Sequence, residues 1–169
     1  MTDPLFPPVI ERADGNRCEL WLSGKVESWK RNTAVKVKPK RGGKAKTVYF
    51  RDAKGIAYRE RLAANARIAC PVMLRSPVAL EMLVVYPRPQ SRPASVPVDV
   101  WRSGGEVLRP TKGRDDIDRL QGNVLDALKD AGVIEDDGCI VDIQARKVWA
   151  KQGGEPGLLL RVREVEYLF

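Results

Sequence analysis

Residues 113–140 read GRDDIDRLQGNVLDALKDAGVIEDDGCI. Within this stretch Leu120, Val124, Ala127, Leu128 and Ala131 recur at three- and four-residue intervals, the spacing that lines one face of an α-helix. Gly132 then offers a stop, because glycine enters the left-handed conformation that closes a helix without strain. The pattern predicts a helix over 116–131. EDDG at 135–138 predicts a turn leading into a strand. The same window gathers eight of the 22 acidic residues: Asp115, Asp116, Asp118, Asp126, Asp130, Glu135, Asp136 and Asp137. Only Arg114, Arg119 and Lys129 oppose them, so the window carries −5 in a chain whose total is +8.

Outward from this window the chain alternates strands and one further helix. CELWLSGKV (18–26) alternates apolar and polar residues and reads as a strand. IAYRERLAANARIAC (56–70) reads as a helix, with Ile56, Leu62, Ala63, Ala66 and Ala69 near helical spacing and Pro71 as its terminator. ALEMLVVYP (79–87) is apolar enough for a buried strand. PRPQSRPASVP (87–97) is a proline-rich loop, and VDVWRS (98–103) alternates briefly, so a strand closed by Gly104 and Gly105 is expected there. CIVDIQARKVWA (139–150) and GLLLRVREVEYLF (157–169) predict two strands joined by a turn at 152–154. Residues 1–17, with Pro4, Pro7 and Pro8, predict an extended lead-in. No internal repeat or domain boundary appears. The expectation is one small α+β domain over 18–169, a mixed β-sheet with two main helices.

A basic segment stands between the first strand and the first helix. SWKRNTAVKVKPKRGGKAKTVYFR (28–51) holds nine Lys and Arg, among them Lys30, Arg31, Lys36, Lys38, Lys40, Arg41, Lys44 and Lys46, and no acid. Gly42 and Gly43 suggest a tip, and TVYF (47–50) a short returning strand. A solvated loop is the plain alternative. Nine like charges repel one another, however, and a purely structural loop does not need them. A pI near 9.6 points the same way, to a polyanionic partner, nucleic acid before membrane.

Composition removes several chemistries. There is no histidine, so Ser–His and Cys–His nucleophile pairs and histidine-ligated zinc are excluded. Cys18, Cys70 and Cys139 are odd in number and have no zinc spacing, which reads as reduced thiols in a cytoplasmic protein. The longest apolar run, 82–86, is far too short to span a bilayer. The first ten residues show no basic region followed by an apolar core, so no signal peptide is expected.

The remaining chemistry is that of carboxylates. Asp116 and Asp118 stand two apart at the helix start, and in extended backbone residues i and i+2 face the same way. A return of the chain after the helix would bring Asp137 near them. Converging carboxylates repel unless a cation sits among them, and magnesium is the natural guest. Taken singly, each acid has a plainer use: helix capping for Asp116 and Asp118, turn formation for Asp136 and Asp137, solvated surface for Asp126 and Asp130. Taken together on a basic protein, they suggest ions that polarise a scissile phosphate and activate water.

GRDDIDRLQGNVLDAL followed by AGVIEDDGCIVDIQARK resembles the RusA family of Holliday junction resolvases. The likeness runs over about 110–150, and the order of elements before it also fits. It implies a small homodimeric endonuclease of mixed α and β structure that cuts branched DNA with Mg2+, or with Mn2+, often in a phage setting. By position, Asp116, Asp118 and Asp137 match the family's metal-binding aspartates. Asp136 stands beside the last of these. Lys147 matches the basic end of the following strand, where phosphate contact and plain surface are equally good readings. Two residues depart from the pattern. Arg119 stands where the family has asparagine, and Gly122 where it has a catalytic lysine. Either Arg119 supplies the missing cation to the catalytic site, or the protein is a weak or inactive nuclease that binds junctions; the sequence leaves both open.

Overall fold

A computed structural model describes residues 16–26, 33–37, 46–50, 53–75, 77–108 and 116–165. In chain order the elements are β1 (Arg17–Ser23), β2 (Thr33–Val37), β3 (Lys46–Phe50), α1 (Ala53–Ala69), β4 (Val78–Tyr86), α2 (Val98–Arg102), β5 (Val107–Leu108), α3 (Ile117–Asp130), β6 (Ile140–Trp149) and β7 (Gly157–Glu164). A 3-10 turn, Asp137–Cys139, precedes β6. Five strands form a mixed sheet in the order β1-β7-β4-β6-β5, and β2 and β3 form a separate ladder. This is the α+β domain that the sequence predicts, with α1 and α3 as its two long helices.

The central strand explains the sheet. VALEMLVVY is buried along its whole length, as a strand covered on both faces must be. Its even-numbered residues, Val78 to Tyr86, join Leu62, Ala66, Leu120, Val124 and Leu128 in the main core beneath α1 and α3. The odd-numbered Leu83 and Val85 turn the other way and pack with Val148, Ala150 and Leu159 in a second, smaller cluster. On that second face Glu81 is buried. Its carboxylate lies 2.5 Å from Arg163 and 3.8 Å from Arg161, and Arg161 reaches Glu19 at 2.8 Å. A buried carboxylate on a central strand demands such partners, because removing one charge from water without another costs several kcal/mol, on the order of 3–5.

Crossover geometry sets the position of α3. β4 and β6 run parallel, so the chain between them must travel back along the sheet. The backbone N–H of Leu74, just before β4, donates to Val133, just after α3. The carboxyl end of α3 therefore lies at the start of β4 and β6, and its amino end points toward their carboxyl ends. The helix buries Leu120, Val124, Ala127 and Leu128, and Gly132 closes it at φ +71°.

One expectation needs correction. VDVWRS is not a strand. Residues 98–102 form a short helix, seeded by Pro97 and ended by Ser103, whose hydroxyl donates to the Val100 carbonyl, and by Gly104 at φ +74°. A three-residue alternation is too short to separate the two periods, and proline favours the first turn of a helix. The two strands expected on either side of 152–154 are present with a turn between them, and β4 lies between them in the sheet. The basic segment contains the expected returning strand. β2 and β3 pair antiparallel from Thr33↔Phe50 to Val37↔Lys46. The predicted lead-in before Asn16 lies outside the described residues.

Candidate metal and phosphate site

Asp116 occupies the N-cap position of α3 in extended backbone (φ −64°, ψ 137°), yet its carboxylate makes no capping hydrogen bond. The capping reading therefore fails for this residue. Among the described residues it pairs with Arg119, one turn on, at 3.9 Å. Asp118 lies in the first turn, exposed, with no hydrogen bond or ion pair among the described residues. The amino end of a helix favours negative charge through its unpaired N–H groups and aligned dipoles. It thus stabilises two carboxylates whose oxygen atoms remain available to a ligand.

Asp136 is different. It caps the 3-10 turn by accepting from the Gly138 N–H at 3.0 Å, and Lys129 holds its other oxygen at 2.8 Å. The Lys129 ammonium, then the Gly138 N–H and the neighbouring Asp137, hold its carboxyl well below the usual carboxylate range. The same contact raises the Lys129 pKa. Both groups are exposed, so the pair adds little to stability. For Asp136 the turn reading has direct support. Asp137 is exposed beside it at the start of the 3-10 turn.

The two carboxylate groups stand apart. Asp116 and Asp118 are at the amino end of α3, whereas Asp136 and Asp137 are beside Lys129 in its last turn. Fourteen helical residues separate these ends by roughly 20 Å. Among the described residues, no three acidic or cysteine side chains lie close enough to hold a metal ion. The expected convergence of Asp116, Asp118 and Asp137 does not occur within one chain. The aspartate pair at the amino end fits a hard cation in ligand type, though it is an incomplete set.

Of the cationic candidates, Lys36 and Lys46 fall on the β2–β3 ladder, opposite Thr47 and Val37 respectively. Lys30, Arg31, Lys38, Lys40, Arg41 and Lys44 lie outside the described residues. Lys147 is half-buried on β6, opposite Val84. Gly122 sits mid-helix, and a Cβ built there meets nothing within 4 Å.

Sequence reasoning missed Arg88. It stacks over the Trp101 ring at 3.8 Å and donates to the carbonyls of Trp101, Gly105 and Ala150. One guanidinium thereby fastens α2 and the approach to β5 onto the end of β6. From β5 the chain proceeds to Asp116. The only sequence signal was an arginine within a proline-rich loop.

The family model of endodeoxyribonuclease RusA matches residues 33–163. That span covers most of the chain, and the chain belongs to this family. No match to a curated protein is found.

Proposed function

We propose that this RusA-family chain is a magnesium-dependent endonuclease that cuts four-way junctions or related branched DNA, with manganese as a substitute. The observation that carries the reading is the pair Asp116 and Asp118: two carboxylates at a helix amino end, one failing to cap and the other without a partner among the described residues. When bound there, the metal would supply Lewis acidity and a nucleophile from water at neutral pH. The chain's own contribution is to hold two anionic oxygen donors in place with the α3 dipole. Arg119, 3.9 Å from Asp116, is placed to neutralise phosphate charge beside them. The β2–β3 arm would grip the DNA backbone through Lys30, Arg31, Lys36, Lys38, Lys40, Arg41, Lys44 and Lys46, with Lys147 a further phosphate contact.

The separated third carboxylate favours a homodimer. Among the described residues only the last two of β6 pair with β5, and Val141 and Ile143 on β6 are exposed. Antiparallel pairing of two such edges about a two-fold axis would carry Asp137 of each chain toward the amino end of the other chain's α3. Two sites related in this way would suit the two equivalent strands of a junction. No helix among the described residues is long and apolar enough to cross a membrane, and a cytoplasmic location is the natural setting for such an enzyme.

The second reading, a junction-binding protein without catalysis, rests on Gly122, which provides no cation where the family resemblance places a lysine. Incubation with a synthetic four-way junction and Mg2+ or Mn2+ separates the two. Paired nicks support the nuclease, and binding without nicks supports the alternative. Sedimentation at micromolar concentration tests the dimer: a monomer with full activity would refute it.

A further inference from the structure

The sheet face away from α1 and α3 carries a feature that the proposed chemistry does not use. Trp21 of β1 is 44% exposed there. The benzene ring of its indole lies across Gly157 of β7, where any Cβ would collide with it. Glycine at 157 is what lets the ring lie down on the sheet. Beside the ring is a cavity of about 390 Å³, lined by Leu83, Val85, Leu159 and Ala150, with Glu106, Lys151 and Glu155 also around it. This cavity combines a flat aromatic wall, aliphatic neighbours and charged groups that include two carboxylates.

Resting on the reading of branched DNA as substrate, we infer that this cavity receives an unstacked nucleobase. Every base has a face that stacks on an indole, and an apolar pocket with an aromatic wall is how proteins hold bases removed from the duplex. The volume is ample for one base. A carboxylate accepts from an exocyclic amine, as glutamate does from cytosine. Cytosine, adenine and guanine carry such an amine and thymine does not. Lys151 would meet the adjoining phosphate. Bases at an open crossing point lack a stacked neighbour on one side, which lowers the cost of extracting them. Ten chain steps join Glu106 to Asp116, so the two lie no more than about 36 Å apart.

The test uses the full chain and a four-way junction with 5-iodocytosine at the crossing point. Long-wavelength irradiation should cross-link the base to the peptide containing Trp21, identified by mass spectrometry. Trp21→Ala should weaken junction binding roughly five- to a hundredfold, the range seen for loss of one stacked base. Trp21→Phe should retain most of the affinity. The salt dependence should not change, because no phosphate contact is removed. Thymine throughout the crossing point should weaken binding by the native protein but not by Trp21→Ala. Unchanged affinity in a folded Trp21→Ala protein, with cross-links elsewhere, overturns the inference while leaving junction cleavage intact as a separate result. Dissociation of a dimer by Trp21→Ala would make this face a subunit seam and overturn it as well. A native protein that binds no branched DNA defeats both this inference and the proposed function.

Discussion

Gly122→Lys tests the departure at α3 most directly. Position 122 lies mid-helix, five residues on from Ile117, where glycine costs close to 1 kcal/mol relative to a good helix former. The site is half-exposed, and an added Cβ meets nothing within 4 Å, so no packing penalty offsets the gain. The substitution should therefore stabilise the fold by about 0.5–1 kcal/mol. For a chain of this size that is a rise in Tm of roughly 1–4 °C. The chemical expectation follows from helix geometry. At 100° per residue, positions 118 and 122 differ by only about 40° around the axis, so a lysine at 122 shares the face of Asp118. Its ammonium would reach a phosphate bound at the metal that Asp116 and Asp118 are proposed to hold, and would stabilise the charge that develops during cleavage. Arg119 stands about 100° from Asp118 on the same reckoning and already leans toward Asp116 at 3.9 Å. Arg119→Ala should thus slow the natural protein and matter less in the Gly122→Lys background. Thermal denaturation and single-turnover junction cleavage of the two single variants and the double variant supply the measurements. A fall in Tm would contradict the open space at 122. A stable Gly122→Lys protein that cleaves no faster would show that this position has no part in the chemistry.

Other perturbations address the remaining links. Asp116→Asn or Asp118→Asn should abolish cleavage while junction binding holds or tightens, since negative charge beside phosphate is removed; normal turnover would end the metal-ligand assignment. Joint neutralisation of Lys36, Lys38, Lys40 and Arg41 should flatten the salt dependence of binding by about one unit of slope per lost phosphate contact, and an unchanged slope would exclude the arm. Glu81→Ala should cost about 3–5 kcal/mol in urea unfolding, because it strands the buried Arg163 guanidinium; a loss under 1 kcal/mol would mean water already reaches the pair. Burial, then the neighbouring Cys70 thiol, pushes the Cys18 thiol up to about 12. A raised folded-state pKa stabilises the fold below the ordinary value and loses that contribution as pH climbs from about 9 to about 12. Native protein at pH 8 should accordingly present only Cys139 to a thiol reagent, and the unfolded chain all three; rapid reaction of two thiols in the native state would refute the burial.

Local periodicity carried most of the fold. The apolar stripe from Leu120 to Leu128 and the stop at Gly132 are short-range signals. So is the largely apolar run of β4, broken only by Glu81 and read as a buried strand. The alternation of β1 is another, and all were legible because each records which side of one element meets the core. The family likeness and the candidate aspartates were legible for the same reason, as fixed intervals along the chain. Sheet order was not, since nothing within 140–164 tells the chain that β4 will insert between its last two strands. The short helix at 98–102 also escaped, because three alternating residues are compatible with both periods until Pro97 and the Arg88 clamp decide. Tertiary structure alone separated the carboxylates. The parallel pairing of β4 and β6 obliges α3 to run back along the sheet, and a helix of roughly 20 Å then holds Asp118 and Asp137 at opposite ends, a distance that adjacency in sequence could not reveal.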